Sequence, residues 1–150
     1  MTGKELLTLM FSFGVAFFVL FFLFYGLTSL CYQKMFNAYR YPHPGYAWIP
    51  FYRLYILADL TCGPVFKLGD FEIEKRIFMW WWLIVYILAF VPFVGGFVSF
   101  ILNVLCLGYC HHEGIKKIDP TYDSPVLSYL SAIFSIFLWF LVLPKKVNFF

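Results

Sequence analysis

From Ile77 to Cys110 the chain runs 34 residues without a charged side chain. As one helix that stretch would be about 51 Å long, against a bilayer hydrocarbon core about 30 Å thick. One straight crossing cannot use so much apolar chain. The sequence FVPFVGG, residues 90–96, falls at its middle. Pro92 stops a helix, and Gly95 and Gly96 accept backbone angles that other residues avoid. The run therefore reads as two spans, about 77–91 and 95–110, folded back on each other as a tight hairpin. The rival is a single tilted and kinked helix. Each half is about 24 Å long, which requires local thinning of the bilayer or a hairpin tip just below its surface.

Two further stretches have the length and composition of spans. Leu6 to Leu30 is apolar for 25 residues and ends in CYQK. That is longer than the roughly 7–15-residue apolar region of a cleaved signal, so it reads as a retained helix. DSPVLSYLSAIFSIFLWFLVLPKK carries its own punctuation: Asp123 or Ser124 as N-cap, Pro125 in the first turn, and Pro144 with Lys145 and Lys146 at the end. The whole chain is 63% hydrophobic and 13% charged, where a soluble domain carries about 25% charged residues. The net charge of +3 is scattered and forms no basic stripe, so nucleic acid is not an expected partner.

The fold class expected is all-α: an integral membrane helical bundle forming a single transmembrane domain over residues 1–150. Its four transmembrane helices lie at about 6–30, 77–91, 95–110 and 125–143. Between the first two spans, AWIPFYRLYILADL (47–60) is too short to cross and is interrupted by Arg53 and Asp59. It reads as an interfacial or re-entrant helix over about 48–60, with Pro50 in its first turn and CGP at its end. Four spans place Lys34, Arg40, Arg53, Lys67, Lys75, Arg76, Lys116 and Lys117 on one side, and Lys4, Lys145 and Lys146 on the other. By the positive-inside rule, loops 31–76 and 111–124 are cytoplasmic and the N- and C-termini lie outside a cell membrane that the chain crosses as a multi-pass protein. Cys31, Cys62 and Cys110 then fall on the reducing side, Cys106 lies one turn deeper, and no disulfide framework is expected.

Polar residues within the spans form one pattern. Gly96, Ser99, Asn103, Cys106 and Cys110 recur every three or four residues and share a helical face. Ser128, Ser131, Ala132 and Ser135 make a similar stripe in the last span. The two stripes are expected to pack together, with Asn103 hydrogen-bonded to Ser131 or Ser135; the other reading is a pore-lining face. CLGYCHHEG holds metal-capable residues, Cys106, Cys110, His111 and His112, at a spacing that matches no standard zinc pattern. The histidines read as favouring a helix C-terminus, with Gly114 as its C′ residue. Trp48, Trp80, Trp81 and Trp82 read as interfacial anchors, the last three pointing in three directions, and Arg53 as a side chain reaching a lipid phosphate. Arg53 and Asp59, six apart, do not share a face. No glycine-rich phosphate loop, no GxSxG and no carboxylate within a span is present in the sequence, so no enzyme, cofactor or resident metal is expected.

The blocks AWIPFYRLYILADL, WWWLIVYILAFVPFVGGFVSFILNV and LSYLSAIFSIFLWFLVLP, taken in order over roughly 46–143, resemble a group of small bacterial multi-span proteins of unknown function. In that group a tryptophan-IP-aromatic segment precedes a Trp-rich span, a proline-containing turn and another span. This chain departs from the pattern at Arg53 and in the charged stretch FKLGDFEIEKR. The resemblance implies a bacterial multi-span topology and transfers no catalytic residue. The function expected is that of a non-catalytic subunit or scaffold of a membrane assembly, whose partners are the bilayer and other membrane proteins or copies of itself. The alternative is an oligomeric channel or membrane-perturbing effector lined by the Asn103 face.

Overall fold

The first apolar run forms one uninterrupted helix, α1, Gly3–Ala38, about 54 Å long. The computed structural model describes residues 3–68 and 71–147. Three hydroxyls of α1 are satisfied within the helix: Thr8, Ser12 and Thr28 donate to the carbonyls of Lys4, Thr8 and Phe24 one turn back. Residues 3–24 are exposed along every face, whereas Thr28, Ser29, Cys31, Tyr32, Met35 and Phe36 are buried. Only the last third of α1 belongs to the core.

Arg40 takes a left-handed angle (φ 55°) and the chain reverses. A 3-10 turn, Pro44–Trp48, climbs back along α1 until the Trp48 ring lies against Gly26 and its carbonyl accepts the Tyr25 hydroxyl at 2.5 Å. The interfacial helix follows as α2, Tyr52–Thr61. It starts later than expected, because Phe51 is left-handed (φ 62°) and leaves Pro50 ahead of the cap rather than in the first turn.

Next comes an antiparallel β-hairpin, β1 (Val65–Leu68) and β2 (Phe71–Glu74), pairing Phe66 with Ile73 and Lys67 with Glu72. The all-α expectation is corrected here: the fold is mostly helical, with seven α-helices and this one ribbon among the described residues. The ribbon's inner face supplies Phe66, which stacks on Phe78 at 4.2 Å and meets the Tyr109 ring edge at 4.8 Å.

The 34-residue apolar run does turn round. A short α3 (Lys75–Phe78) leads into α4 (Trp81–Ala89), and α5 (Gly95–Ile118) returns. Phe78 faces Tyr109 at one end. At the other, Gly95 lies so close to α4 that a Cβ there would overlap the Leu88 carbonyl and come within 2.7 Å of Val91 Cβ. Phe93 is left-handed (φ 66°) in the turn. α5 also runs a full turn beyond Gly114, so that residue is not its C′; it is buried inside the helix, where a Cβ would fall 2.8 Å from Met35 Sδ. Among the described residues, α1 and α5 are the two helices long and apolar enough to cross a membrane.

The last apolar run departs most from expectation. It is broken into α6 (Pro125–Ile133) and α7 (Ser135–Val142) by Phe134, whose backbone is extended (φ −121°, ψ 102°). α6 runs antiparallel to α5, pairing Ser128 with His112 and Tyr129 with Gly108. α7 then runs parallel to α1. Trp139 Nε1 donates to Thr28 Oγ1 at 3.2 Å, the Cys31 thiol donates to the Leu138 carbonyl at 3.9 Å, and Lys34 Nζ donates to the carbonyls of Leu143 and Lys145. The segment thus returns to the end it left. Lys145 pairs with Asp119 at 2.6 Å, and Lys146 shares a cleft with Ala38, Lys117 and Pro120.

A single fourth helix over 125–143, with Lys145 and Lys146 at the N-terminal end of α1, is therefore not what forms. No proline or glycine dictates the break. It is set by tertiary contacts, in which α7 buries Leu138 and Val142 while Lys34 neutralises the negative end of its dipole. The expectation for the termini themselves falls on residues 1–2 and 148–150, outside the described residues.

Candidate functional site: a buried polar core where four helices meet

Where α1, α2, α5 and α6 converge, their apolar side chains enclose a chain of polar groups. His111 is at its centre, 1% exposed. Its Nδ1 lies 2.7 Å from Ser131 Oγ and its Nε2 3.1 Å from the Tyr32 hydroxyl. Ser131 spends its own proton on the Ser128 carbonyl at 2.6 Å, so the imidazole must donate from Nδ1 to Ser131 and accept at Nε2 from Tyr32. Both ring nitrogens of a neutral imidazole are thereby satisfied. Beside it, Ser128 Oγ lies 3.3 Å from His112 Nδ1 and 2.9 Å from the Tyr122 hydroxyl.

Tyr32 also faces Arg53. The guanidinium lies 5.2 Å from the Tyr32 ring centroid and 4.7 Å from that of Tyr25, within cation–π range. Its Nη1 donates to Ser29 Oγ at 3.1 Å. Asp59 pairs with Lys75 at 2.8 Å, in keeping with its separation from Arg53 along the helix.

These contacts redistribute the residues singled out in the sequence. α6 is met by Gly108, His111 and His112. Ser99 and Asn103 line a separate groove with Leu54, Trp82, Val85 and Tyr86, and Ser99 donates back to the Gly96 carbonyl at 3.1 Å. The expected bond from Asn103 to Ser131 or Ser135 is absent, since Ser131 faces His111 and Ser135 begins α7. Cys110 is buried and Cys106 half-buried, and among the described residues no cluster of three His, Cys, Asp or Glu could hold a metal ion. The histidines do not cap a C-terminus, because the helix continues past them. All four cysteines are unpaired.

Of the three tryptophans, Trp81 is buried while Trp80 and Trp82 turn the same way. They line a groove with Pro50, Phe51, Tyr52 and Tyr55. The bend between α3 and α4 brings residues i and i+2 together, which a continuous helix would splay apart. Trp48 is an exposed ring whose Nε1 donates to Gln33 at 3.1 Å.

Chemically, the core suits cohesion. Ser131 and His111 have the contact distance of a nucleophile and its base, but the serine proton points at a backbone carbonyl, no carboxylate backs the histidine, and both residues are 1% exposed. Sequence reasoning missed Tyr32 and assigned His111 to a helix end. The available signal was a histidine placed after 34 uncharged residues. No protein-family model, curated protein or solved structure matches the chain.

Proposed function

We propose that the protein is a non-catalytic integral membrane subunit that enters the bilayer from one side and offers α1 to an assembly. The observation that carries this reading is the uncovered α1: residues 3–24 are exposed along every face, only Phe24 among their rings meets another helix, at Trp139, and Phe11, Phe13, Phe17 and Phe18 are each at least 62% exposed. A surface that apolar on all sides needs lipid or another apolar surface around it.

The depths follow from the pairing of Tyr32 with His111 and of Met35 with Gly114, which sets α1 and α5 parallel and in register. Measured from that level, α1 reaches Leu6 after about 39 Å, whereas α5 reaches the Gly95 tip after about 24 Å. α6 and α7 are about 13 and 12 Å long, less than half a hydrocarbon core. In this reading α1 alone crosses completely, α4 and α5 form a deep hairpin, and α6 and α7 form a shallow one. The turn at 90–94 suits such burial: it carries no charge, and the N–H groups of Phe90, Val91, Val94 and Gly95 all bond to backbone carbonyls. Ten of the eleven Lys and Arg residues then lie at the loop end and only Lys4 at the other. The positive-inside rule makes the loop end cytoplasmic, and the contrary vote of Lys145 and Lys146 disappears. A channel lined by the Asn103 face is less well supported, since that face is occupied by α4.

Cysteines placed at Val94, Lys117 and Lys146, in a background whose Cys31, Cys62 and Cys110 are buried, test the topology with an impermeant maleimide. Positions 117 and 146 should label from the same side and 94 from neither; labelling of 94 and 146 from the side opposite 117 would restore four spans. Photocrosslinkers at Phe13 and Phe17 test the role. A defined protein adduct supports the subunit reading, and adducts to lipid alone, with a monomeric purified protein, overturn it.

A further inference from the structure

Arg53 is a partly buried cation that meets no anion among the described residues. Among the described residues the ion pairs are Lys67 with Glu72, Lys75 with Asp59 and Lys145 with Asp119, and none includes it. Its Nε–H is buried without an acceptor, and the one hydrogen bond from its fork goes to Ser29. The oxygens nearest the two rings are engaged elsewhere, as Tyr25 donates to the Trp48 carbonyl and Tyr32 to His111. The rings stabilise the charge across their faces but offer nothing to the N–H groups in the guanidinium plane. A guanidinium has five such donors, and burying part of it with most of them unused is costly unless an anion completes the set.

We infer that Arg53 binds a phosphate oxyanion, and that its source is the headgroup of a phospholipid. Two paired N–H groups match two phosphate oxygens, which is the geometry guanidinium serves best. The position fits as well. Arg53 is held beside Tyr25 and Ser29, at the end of the apolar stretch of α1, and the exposed Trp48 ring lies at the same level of that helix, against Gly26. Trp is enriched at the headgroup level of membranes. Among the described residues no carboxylate contacts the guanidinium to compete for it. The lipid source rests on the membrane reading above; the oxyanion site does not.

The test is retention of phospholipid by the purified full-length chain in mild detergent, read as lipid phosphorus per protein, for wild type, Arg53→Gln and Arg53→Lys. Wild type should keep phosphatidylglycerol through delipidation, Arg53→Gln should weaken binding at least about tenfold, and Arg53→Lys should fall between, because a lysine keeps the charge and loses the fork. Diacylglycerol, which lacks the phosphate, should not be retained. Equal retention by wild type and Arg53→Gln, or equal retention of diacylglycerol, overturns the site. A thermal shift with inorganic phosphate equal to that with the lipid, in wild type only, overturns the lipid source. Should Arg53→Gln fail to fold, Arg53→Lys alone decides: retention equal to wild type overturns the bidentate phosphate. The measurement needs no protein partner, so it can succeed while the crosslinking test of the subunit role fails.

Discussion

Three glycines in α1 and α5 allow the packing of α6 to be tested by the sign of a stability change. An alanine replacing glycine inside a helix gains about 1 kcal/mol in propensity wherever its methyl meets nothing. Gly14 is such a place, with open space around the position of a Cβ. At Gly114 the new methyl would meet Met35 Sδ at 2.8 Å and Cε at 3.3 Å, the flexible end of a side chain that can move aside. At Gly108 it would land 2.7 Å from Cε1 and 2.9 Å from Cγ of Tyr129, so the whole ring, and α6 with it, must shift. Overpacking of that kind costs about 1–3 kcal/mol. Gly108→Ala should therefore be neutral to destabilising by about 2 kcal/mol, Gly114→Ala near neutral, and Gly14→Ala neutral to stabilising. Reversible unfolding in mild detergent, titrated with a denaturing detergent, reads all three. In a Tyr129→Ala background the clash is gone, and Gly108→Ala should turn stabilising, a coupling of about 1–3 kcal/mol. If Gly108→Ala stabilises the native background as much as it does the Tyr129→Ala background, α6 does not dock on α5 as described.

The polar core makes a second prediction: His111→Ala should cost about 2–4 kcal/mol, because it opens a cavity and leaves the Tyr32 hydroxyl without its acceptor, whereas Ser131→Ala should cost about 0.6–2 kcal/mol. The two losses should be non-additive in the same titration, and additivity would mean that the Nδ1 bond carries no energy. A third concerns acid. Lys145 first, and then Thr121, hold the Asp119 carboxyl below its ordinary 3.8, at about 2. A depressed folded value means that the stabilisation is fully present above the unfolded value and is lost as pH falls from about 4 through about 2. A maleimide reporter at Lys146 should become more accessible over that window, and Asp119→Asn should abolish the pH dependence.

The reversal at Pro92 to Gly96 was readable without coordinates, because length and backbone chemistry are local: 34 apolar residues exceed one crossing, and Pro and Gly stand at the middle. The same holds for α1 and for the separation of Arg53 from Asp59. The β-ribbon was missed by the all-α reading; the alternation of FEIE is its local signal, and that signal is weak in so short a stretch. The break at Phe134 was not. Nothing in SAIFSIFL excludes a helix, and what decides is Lys34, about a hundred residues away, waiting for the carbonyl end of α7. The same is true of His111, whose neighbours along the chain suggested a helix end and whose partners, Tyr32 and Ser131, come from two other helices. A chain this apolar determines by itself how much of it leaves water. Which segments run on and which turn back depends on where its few polar groups find partners, and those partners are assembled only by the tertiary fold.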